Sequence, residues 1–325
     1  MRDWLSDSPA FKSLLFGTTV FTCLASLAGF AGRLWWTLDL TSHFRLQYVV
    51  VLLFSVLALA CIRLYWLAVV PALFALLNLM ILLPWLWVSS TPSRLLQGTA
   101  RAMLINVNTS NTNHALVLSS IRSHAPDFVF LEEVDPRWMA GLKPLDSDYP
   151  HSFSHPRMDN FGVAFYSRYP LLKSSILDVG DAGNPSLLVG CELEGRAFYI
   201  LGVHTLPPVN AAYVRFRDTQ LARIPGVLKT LDAPVLLLGD LNATPWSYPF
   251  RRLMRESGLR DASRGLGYRP TWPDGMLLMQ IPIDHCLHSP ELLVMRREIG
   301  STVGSDHFPV IVDFSWNDEQ RRTSR

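Results

Sequence analysis

Residues 235–245 of this 325-residue chain read VLLLGDLNATP, an apolar run that ends in a glycine and two spaced polar side chains. The run Val235–Leu238 is typical of a buried β-strand. Asp240 and Asn242 follow it at once. Because Asp and Asn also favour ordinary turns, these two residues alone indicate a turn at least as well as a functional site. Their interpretation depends on the rest of the chain.

The same arrangement, an apolar run with a polar residue at its end, recurs throughout residues 101–325. The predicted strands are Met103–Val107, Phe128–Leu131, Gly162–Ser167, Phe198–Val203, Val235–Leu238, Ile283–Leu287 and Pro309–Phe314, and the predicted helices are Asn113–His124, Ala211–Thr230 and Phe250–Ser257. This mixture predicts the α/β class. The polar residues at the strand ends are Asn106, Glu132, Glu133, His204, Asp240, Asn242, Asp284, Asp306 and His307. Side chains at strand ends share one rim of a sheet, so we expect these to converge.

The chemical types of these residues indicate phosphate-ester chemistry. Hydrolysis of such an ester builds negative charge on oxygen, so it calls for a hard cation, an activated water and hydrogen-bond donors. Mg²⁺ and Mn²⁺ prefer oxygen ligands, which Asn106, Glu133 and Asp306 offer. His204 and His307 can donate to phosphate oxygens or transfer a proton.

Seven strings carry a specific family resemblance. They are LINV at 104–107, DFVFLEEV at 127–134, GVAFYSRYP at 162–170, GVH at 202–204, LGDLNATP at 238–245, IDH at 283–285 and SDHFPV at 305–310. In order and approximate spacing they resemble the endonuclease/exonuclease/phosphatase superfamily, whose members are deoxyribonuclease I-like. The resemblance covers essentially all of 101–325 and implies a four-layer αββα sandwich.

The resemblance also implies a metal site for Mg²⁺ or Mn²⁺. Glu133 matches the family's main metal ligand, with Asn106 and Asp306 nearby. The tandem Glu132-Glu133 leaves the register open by one residue, and we choose Glu133 because the usual family string is Leu-Gln-Glu. Where family members often carry a further acid, this chain has Asn108.

The catalytic positions are carried over in the same way. Asp240 matches the residue that orients or deprotonates the attacking water, and Asn242 the residue that binds the phosphate. His307 is expected against the scissile phosphate, with Asp284 orienting one of the histidines. His204 is expected to stabilise the phosphorane-like transition state.

The N-terminal part has the composition of a membrane segment. Residues 1–100 hold six Lys or Arg and three acidic residues, with no charge between Arg63 and Arg94. Three apolar stretches, 13–32, 46–62 and 64–88, approach the roughly 20 residues that a spanning helix needs. We therefore expect an N-terminal three-helix transmembrane region at 1–90, a linker at 91–100, the catalytic domain at 101–318 and a polar tail at 319–325.

These spans predict an integral, multi-pass protein of a bacterial inner or plasma membrane, with the lipid bilayer as a partner and no protein partner. Three spans place the N-terminus and the catalytic domain on opposite sides. The basic residues are nearly even between the two sides, so the positive-inside rule does not decide the orientation. We expect the catalytic domain outside the cytoplasm.

Several alternatives stay open at this point. Residues 101–325 hold 23 basic and 24 acidic residues, a balance that does not favour long nucleic acids. Within the phosphoesterase hypothesis the substrate is either a nucleic acid or a lipid or head group. A membrane-tethered binding or scaffold protein with a degenerate site is the competing class of function. A disulfide between Cys191 and Cys286 is neither required nor excluded.

Overall fold

A computed structural model describes residues 8–88 and 98–318 of the chain. The chain divides into two compact units, one within Met1–Leu86 together with Trp246–Tyr248 and the other within Trp87–Pro245 and Pro249–Arg325. The predicted tail 319–325 and most of the predicted linker lie outside the described residues.

The first unit is built from helices. They are α1 (Pro9–Ala28), which continues into a 3₁₀ turn (Gly29–Ala31), α2 (Trp36–Ser42), α3 (Arg45–Cys61) and α4 (Tyr65–Leu86). Ser8 starts α1 by accepting a hydrogen bond from the Phe11 amide, and Pro9 occupies the first turn, where no amide donor is needed.

Two of these helical segments, Pro9–Ala31 and Tyr65–Leu86, are long and apolar enough to cross a membrane. The third predicted span, 46–62, is not confirmed as a separate one. Its helix has 17 residues, about 25 Å at about 1.5 Å per residue, which is less than about 30 Å of hydrocarbon. It qualifies only when joined to α2, and the two helices bend by 64° at their break.

Polar side chains hold the helices together from inside. Arg45 is buried at the start of α3 and donates to the Ser26 carbonyl and to Asn78 Oδ1, both at 2.9 Å. Asn78 Nδ2 in turn donates to Ser26 Oγ at 2.7 Å. The outer faces of the helices expose large apolar side chains, among them Phe21 and Trp66. Exposed apolar surface of this kind is typical of segments that contact a membrane or another protein.

The second unit contains two six-stranded sheets. The strands are β1 (Ala100–Asn106), β2 (Phe128–Glu132), β3 (His151–His155), β4 (Val163–Ser167), β5 (Lys173–Leu177), β6 (Ser186–Leu193), β7 (Arg196–Val203), β8 (Val235–Asp240), β9 (Arg260–Asp261), β10 (Asp284–His288), β11 (Leu292–Ile299) and β12 (Val310–Trp316). Sheet 1 has the order β11-β12-β1-β2-β4-β3, and sheet 2 the order β5-β6-β7-β8-β10-β9. The pairs β1/β2 and β7/β8 are parallel, so the carboxyl ends of each pair share one edge of their sheet.

Helices α5 (His114–His124), α6 (Pro136–Leu142), α7 (Ala211–Leu228) and α8 (Tyr248–Ser257) complete this unit. One core lies between the sheets, where the Phe128 and Phe198 rings meet edge to face at 5.6 Å. A second core packs α5 and α6 on sheet 1, and a third packs α7 and α8 on sheet 2. The unit is therefore an α/β sandwich with its sheets in the middle.

The predicted strands and helices of residues 101–318 are all present. The strands that sequence patterns did not indicate are β3, β5, β6, β9 and β11, and the short helix α6 was also missed. Cys191 in β6 and Cys286 in β10 are buried free thiols, so the chain has no disulfide between them.

Gly239, the glycine of the opening stretch, is required by close packing. A Cβ atom at this position would lie 1.9 Å from the Val203 carbonyl oxygen of β7 and 3.1 Å from Glu132 Oε1 of sheet 1. Only a residue without a side chain lets β7, β8 and Glu132 approach so closely.

We expect Gly239→Ala to lower the free energy of unfolding by about 1–3 kcal/mol or more, because the new methyl group meets backbone rather than a flexible side chain. The matched control is Gly226→Ala in α7, where a Cβ meets nothing within 4 Å and should add about 0.5–1 kcal/mol of stability. Urea unfolding of the detergent-solubilised chain measures both. Equal effects of the two substitutions would contradict this account.

Candidate active site

The predicted site residues assemble where the carboxyl ends of the parallel strands meet. Asn106 ends β1 directly beside Glu132 at the end of β2. In sheet 2, Asp240 at the end of β8 faces Asp284 at the start of β10. The segment that leads into β12 carries Asp306 and His307 to the same rim, where Ser305 Oγ donates to the Asn106 carbonyl.

Asp240, Asp284 and His307 form the buried centre of the site. His307 Nδ1 lies 2.9 Å from Asp284 Oδ2, and its Nε2 lies 3.7 Å from Asp240 Oδ2. His204 approaches from the end of β7, with Nε2 at 3.8 Å from the same Asp240 oxygen. Its other ring nitrogen, Nδ1, is buried without a hydrogen-bond partner among the described residues. One carboxylate oxygen is thus shared by two imidazoles.

The two histidines differ in charge. Burial would lower the pKa of His307, but Asp284, Asp240 and Asp306 outweigh it and raise this pKa to about 10. Burial lowers the pKa of His204 to about 4. At neutral pH the site therefore contains one imidazolium and one neutral imidazole. Burial and the neighbouring Asp284 raise the pKa of Asp240 well above its ordinary value.

Backbone and side-chain donors fix Asp240. Its amide donates to both carboxyl oxygens of Glu132 at 3.1 Å, a bond that joins the two sheets. Asn242 donates its amide to Asp240 Oδ1 at 2.8 Å and its side chain to the Thr205 carbonyl at 2.9 Å. Glu132 is fully buried, and burial together with Asp240 and Asp284 raises its pKa well above the ordinary value. Glu132 therefore supports the Asp240 backbone from the buried side, and Glu133 stays the predicted metal ligand.

Glu133 belongs to a second group of side chains that carry oxygen atoms. Asn106 Nδ2 donates to its Oε1 at 3.1 Å, and the Thr109 amide donates to its Oε2 at 3.1 Å. The Asn108 amide donates to Asn106 Oδ1 at 3.0 Å, which places residues 106–109 around one carboxylate.

Asp306 is linked to that group through Asn108. Asn108 Nδ2 donates to Asp306 Oδ1 at 2.6 Å, and Trp272 Nε1 donates to Oδ2 at 2.9 Å. Burial opposes ionisation, but His307 and these two donors lower the pKa of Asp306. The residue in place of the family's second acid is therefore a hydrogen-bond donor to one of the predicted metal ligands.

Three of the site residues have a left-handed backbone: φ is +57° at Asn108, +62° at Glu133 and +47° at Asn242. This conformation costs roughly 1–2 kcal/mol for residues other than glycine, although Asn tolerates it best. Residues held in this way are concentrated at functional sites, because the surrounding structure must enforce the conformation.

The donor chemistry fits a hard cation. Asn106, Glu133 and Asp306 each carry an amide or carboxylate oxygen, the ligand type that Mg²⁺ and Mn²⁺ prefer. A separate buried cluster, Asp240, Asp284 and His307, also brings its donor atoms within 4.8 Å of one another. Because His307 binds a proton there and pairs with Asp284, we interpret that cluster as a site of proton handling.

Several contributing residues had no signal in the sequence. Trp272 lies in a loop far from any motif, and Thr271 Oγ1 accepts from the Asp284 amide at 3.1 Å. Phe161 places its ring 5.0 Å from that of His204, and Asn184 donates to the His204 carbonyl at 2.7 Å. Of these contributing residues, only Thr109 could have been predicted from the sequence, since it directly follows the Asn106–Asn108 segment.

Comparisons with known proteins give the same fold. Residues 103–307 match the sequence model of the Endonuclease/Exonuclease/phosphatase family. No curated protein sequence matches the chain. The fold is similar to D. rerio TDP2 complexed with single strand DNA product, with a TM-score of 0.57 and 18% identity over 67% of this chain and 100% of that one.

Two further solved structures are similar. The human Nocturnin catalytic domain with bound sulfate anion has a TM-score of 0.56 and 21% identity over 68% of this chain and 96% of that one. The endonuclease/exonuclease/phosphatase from Beutenbergia cavernae has a TM-score of 0.57 and 22% identity over 68% of this chain and 72% of that one. At such identities the likeness speaks for the fold alone.

We expect His307 to keep its proton well above neutral pH in the metal-free chain. Its folded pKa of about 10 exceeds the ordinary 6.5, so the ion pair stabilises fully below pH 6.5 and is lost as pH rises through about 10. Asp284→Asn should lower this pKa, because the closest negative partner is removed. Ring-nitrogen NMR with EDTA present measures it. A pKa that matches that of the surface control Asp181→Asn would contradict the assignment.

We expect Glu132→Gln to stabilise the metal-free chain at about pH 8 and to have little effect near pH 4.5. The folded pKa of Glu132 is raised above 4.5, so wild-type stability falls as pH rises from there, whereas the glutamine amide does not titrate. Thermal unfolding at the two pH values tests this. The exposed control, Glu192→Gln, should show no such difference, and an equal pH dependence of both variants would argue against a buried protonated Glu132.

Proposed function

Since the chain belongs to the Endonuclease/Exonuclease/phosphatase family, we propose that it is a divalent-metal-dependent hydrolase that cleaves a phosphate ester through an activated water. The observation that carries this proposal is the shared position of Asp240 between two histidines of opposite protonation. Asp240 as the proton acceptor and the His307 imidazolium as the donor are thereby held within about 4 Å of each other.

In this proposal Asn106, Glu133 and Asp306 bind Mg²⁺ or Mn²⁺. The bound cation supplies Lewis acidity, which withdraws charge from a phosphoryl oxygen. The residues fit because each can present an oxygen atom and because the Asn108 and Trp272 donors keep the Asp306 carboxylate oriented.

Each remaining residue has a defined task. Asp240, whose pKa is raised, accepts the proton of the attacking water. The His307 imidazolium, held by Asp284, donates hydrogen bonds to the scissile phosphate and stabilises the charge that develops there. Asn242 binds a phosphate oxygen through its amide group. His204 is neutral and stabilises the pentacoordinate phosphorus through its ring N–H.

We further propose that the enzyme is tethered to a membrane by its N-terminal helices and that α2 and α3 together form a third, bent span, which with a cytoplasmic N-terminus places the catalytic domain outside the cytoplasm. The two candidate spans and the apolar outer faces of the helices support a tether. The substrate class within this proposal is either nucleic acid or a lipid or head group. TDP2 is a relative in fold that binds single-stranded DNA, whereas a tether favours a substrate near the bilayer.

We expect the full-length chain in detergent to hydrolyse bis-p-nitrophenyl phosphate with Mg²⁺ or Mn²⁺ and to stop when EDTA is added. Asp240→Asn should lower turnover by about 10²–10⁴-fold, because the amide cannot accept the proton of water. His307→Ala should have a similar effect while the fold is retained. The matched control is Asp181→Asn, a surface residue paired with Arg223, which should behave like the wild type.

Two results would contradict this proposal. One is full activity of both Asp240→Asn and His307→Ala. The other is the absence of turnover with either metal in a chain shown by circular dichroism to be folded, which would move the assignment to a membrane-tethered binding or scaffold protein.

A further inference from the structure

The loops around the site carry an unusual number of exposed apolar side chains. In residues 98–318 the four most exposed large apolar side chains are Leu278 (81%), Leu277 (79%), Met158 (72%) and Val209 (68%). Met276 and Met279 flank the two leucines and are also exposed. We refer to Met158, Val209 and Met276–Met279 as the apolar rim.

All parts of the apolar rim belong to loops that touch the candidate catalytic residues. The loop of Leu277 and Leu278 is anchored at its base. There Trp272 Nε1 donates to Asp306 Oδ2 at 2.9 Å, and the Asp274 amide donates to the Asp306 carbonyl at 2.8 Å. The loop of Met158 ends at Phe161, whose ring lies 5.0 Å from that of His204.

The third loop, 204–210, follows β7 directly and carries Val209. Its Thr205 amide donates to the Asp240 carbonyl at 3.0 Å, and Thr205 in turn accepts from the Asn242 side chain. Three loops from both sheets thus fix the apolar rim relative to Asp240. The other exposed apolar side chains of residues 98–318, for example Leu172, lie outside these loops.

Burial of such side chains is favourable, at about 25 cal/mol per Å² of apolar surface. Leu277 and Leu278 lie at the loop tip, directly after Gly275 and Met276, and not in any of the three cores of the domain. Exposed apolar side chains on loops that contact one site indicate a partner surface that covers them.

The charges on the three loops argue against a polyanion as that partner. Residues 156–162, 204–210 and 272–281 contain one basic residue, Arg157, against Asp159 and Asp274. Arg157 is already paired with Asp159. Proteins that hold nucleic acid gain affinity from basic groups along the contact, and this rim offers none that is unneutralised.

The short connection between α4 and β1 favours a lipid bilayer as the partner of the apolar rim. Helix α4, a candidate span, ends at Leu86, and β1 begins at Ala100. At about 3.6 Å for each residue, this connection reaches at most about 50 Å. A domain so tethered stays within reach of the membrane surface, where apolar loop tips can enter the lipid and raise its affinity.

We propose that the apolar rim inserts into a lipid bilayer and that the substrate is a phosphate ester of a membrane amphiphile, drawn from the bilayer into the site. This substrate class rests on the proposed phosphoesterase function, whereas the insertion of the rim does not. The loops that carry the rim contact Asp306, His204 and Asp240, so an inserted rim brings the site to the level of the lipid head groups.

The first experiment reports insertion without reference to activity. Leu278→Cys is introduced together with Cys61→Ser, since the other three cysteines are buried, and is labelled with a nitrobenzoxadiazole dye. The full chain is reconstituted in vesicles of equimolar phosphatidylcholine and phosphatidylglycerol. We expect blue-shifted emission that spin-labelled acyl chains quench. The matched control is Leu172→Cys in the same background, which should stay water-exposed. Identical emission from positions 278 and 172 overturns the proposal.

The second experiment compares two substrates of one variant. Leu277→Ser with Leu278→Ser should lower turnover of vesicle-embedded phosphatidylglycerol or phosphatidic acid by about tenfold or more, because two apolar anchors are lost. Turnover of bis-p-nitrophenyl phosphate should remain within about twofold of the wild type. An equal loss on both substrates overturns the proposal. A wild-type chain that inserts its rim but hydrolyses neither substrate would refute the proposed function and leave the insertion standing.

Discussion

The ion pair between His307 and Asp284 is the interaction on which the site depends. Asp240, Asp284 and Glu132 are all buried at one rim, and ionised carboxylates cannot be placed so closely in a medium of low polarity without compensation. The imidazolium of His307 supplies positive charge between Asp284 and Asp240, and a proton held by Glu132 removes one negative charge. The proton acceptor and the proton donor of the proposed reaction are therefore consequences of one electrostatic balance.

That balance is possible because two sheets deliver their strand ends to one place. Sheet 1 contributes Asn106 and Glu132, and sheet 2 contributes Asp240 and Asp284. One contact between the sheets at this rim is the Glu132 carboxyl group, which accepts from the Asp240 amide, and Gly239 leaves the space for it. The residues that close the fold at the rim are thus the same ones that position the proton acceptor, so packing and chemistry cannot be varied independently here.

The sequence allowed every central strand except β6 to be predicted, together with the side chains at the strand ends, because continuous apolar runs indicate strands that are buried on both faces. The strands that were missed include β3, β5, β9 and β11, which form the four edges of the two sheets. Edge strands such as His151–His155 are partly exposed and lack such runs. Trp272 and Phe161 were missed for a different reason, since loops reach the site through tertiary contacts that no local pattern encodes. The burial of Arg45 between helices, where it bonds to Ser26 and Asn78, likewise depends on tertiary contacts.

Because of the left-handed backbone at Asn108, Glu133 and Asn242, selection for thermal stability and selection for activity favour different residues at these positions. A glycine at any of these positions would relieve the conformational cost, so a library screened for resistance to heat alone would favour it. The same substitution would remove the proposed metal ligand at Glu133, the proposed phosphate-binding amide at Asn242 or, at Asn108, the hydrogen-bond donor to Asp306. Thermostable descendants of this chain would then accumulate as inert scaffolds, and an engineering programme must score turnover in every round to keep these three side chains.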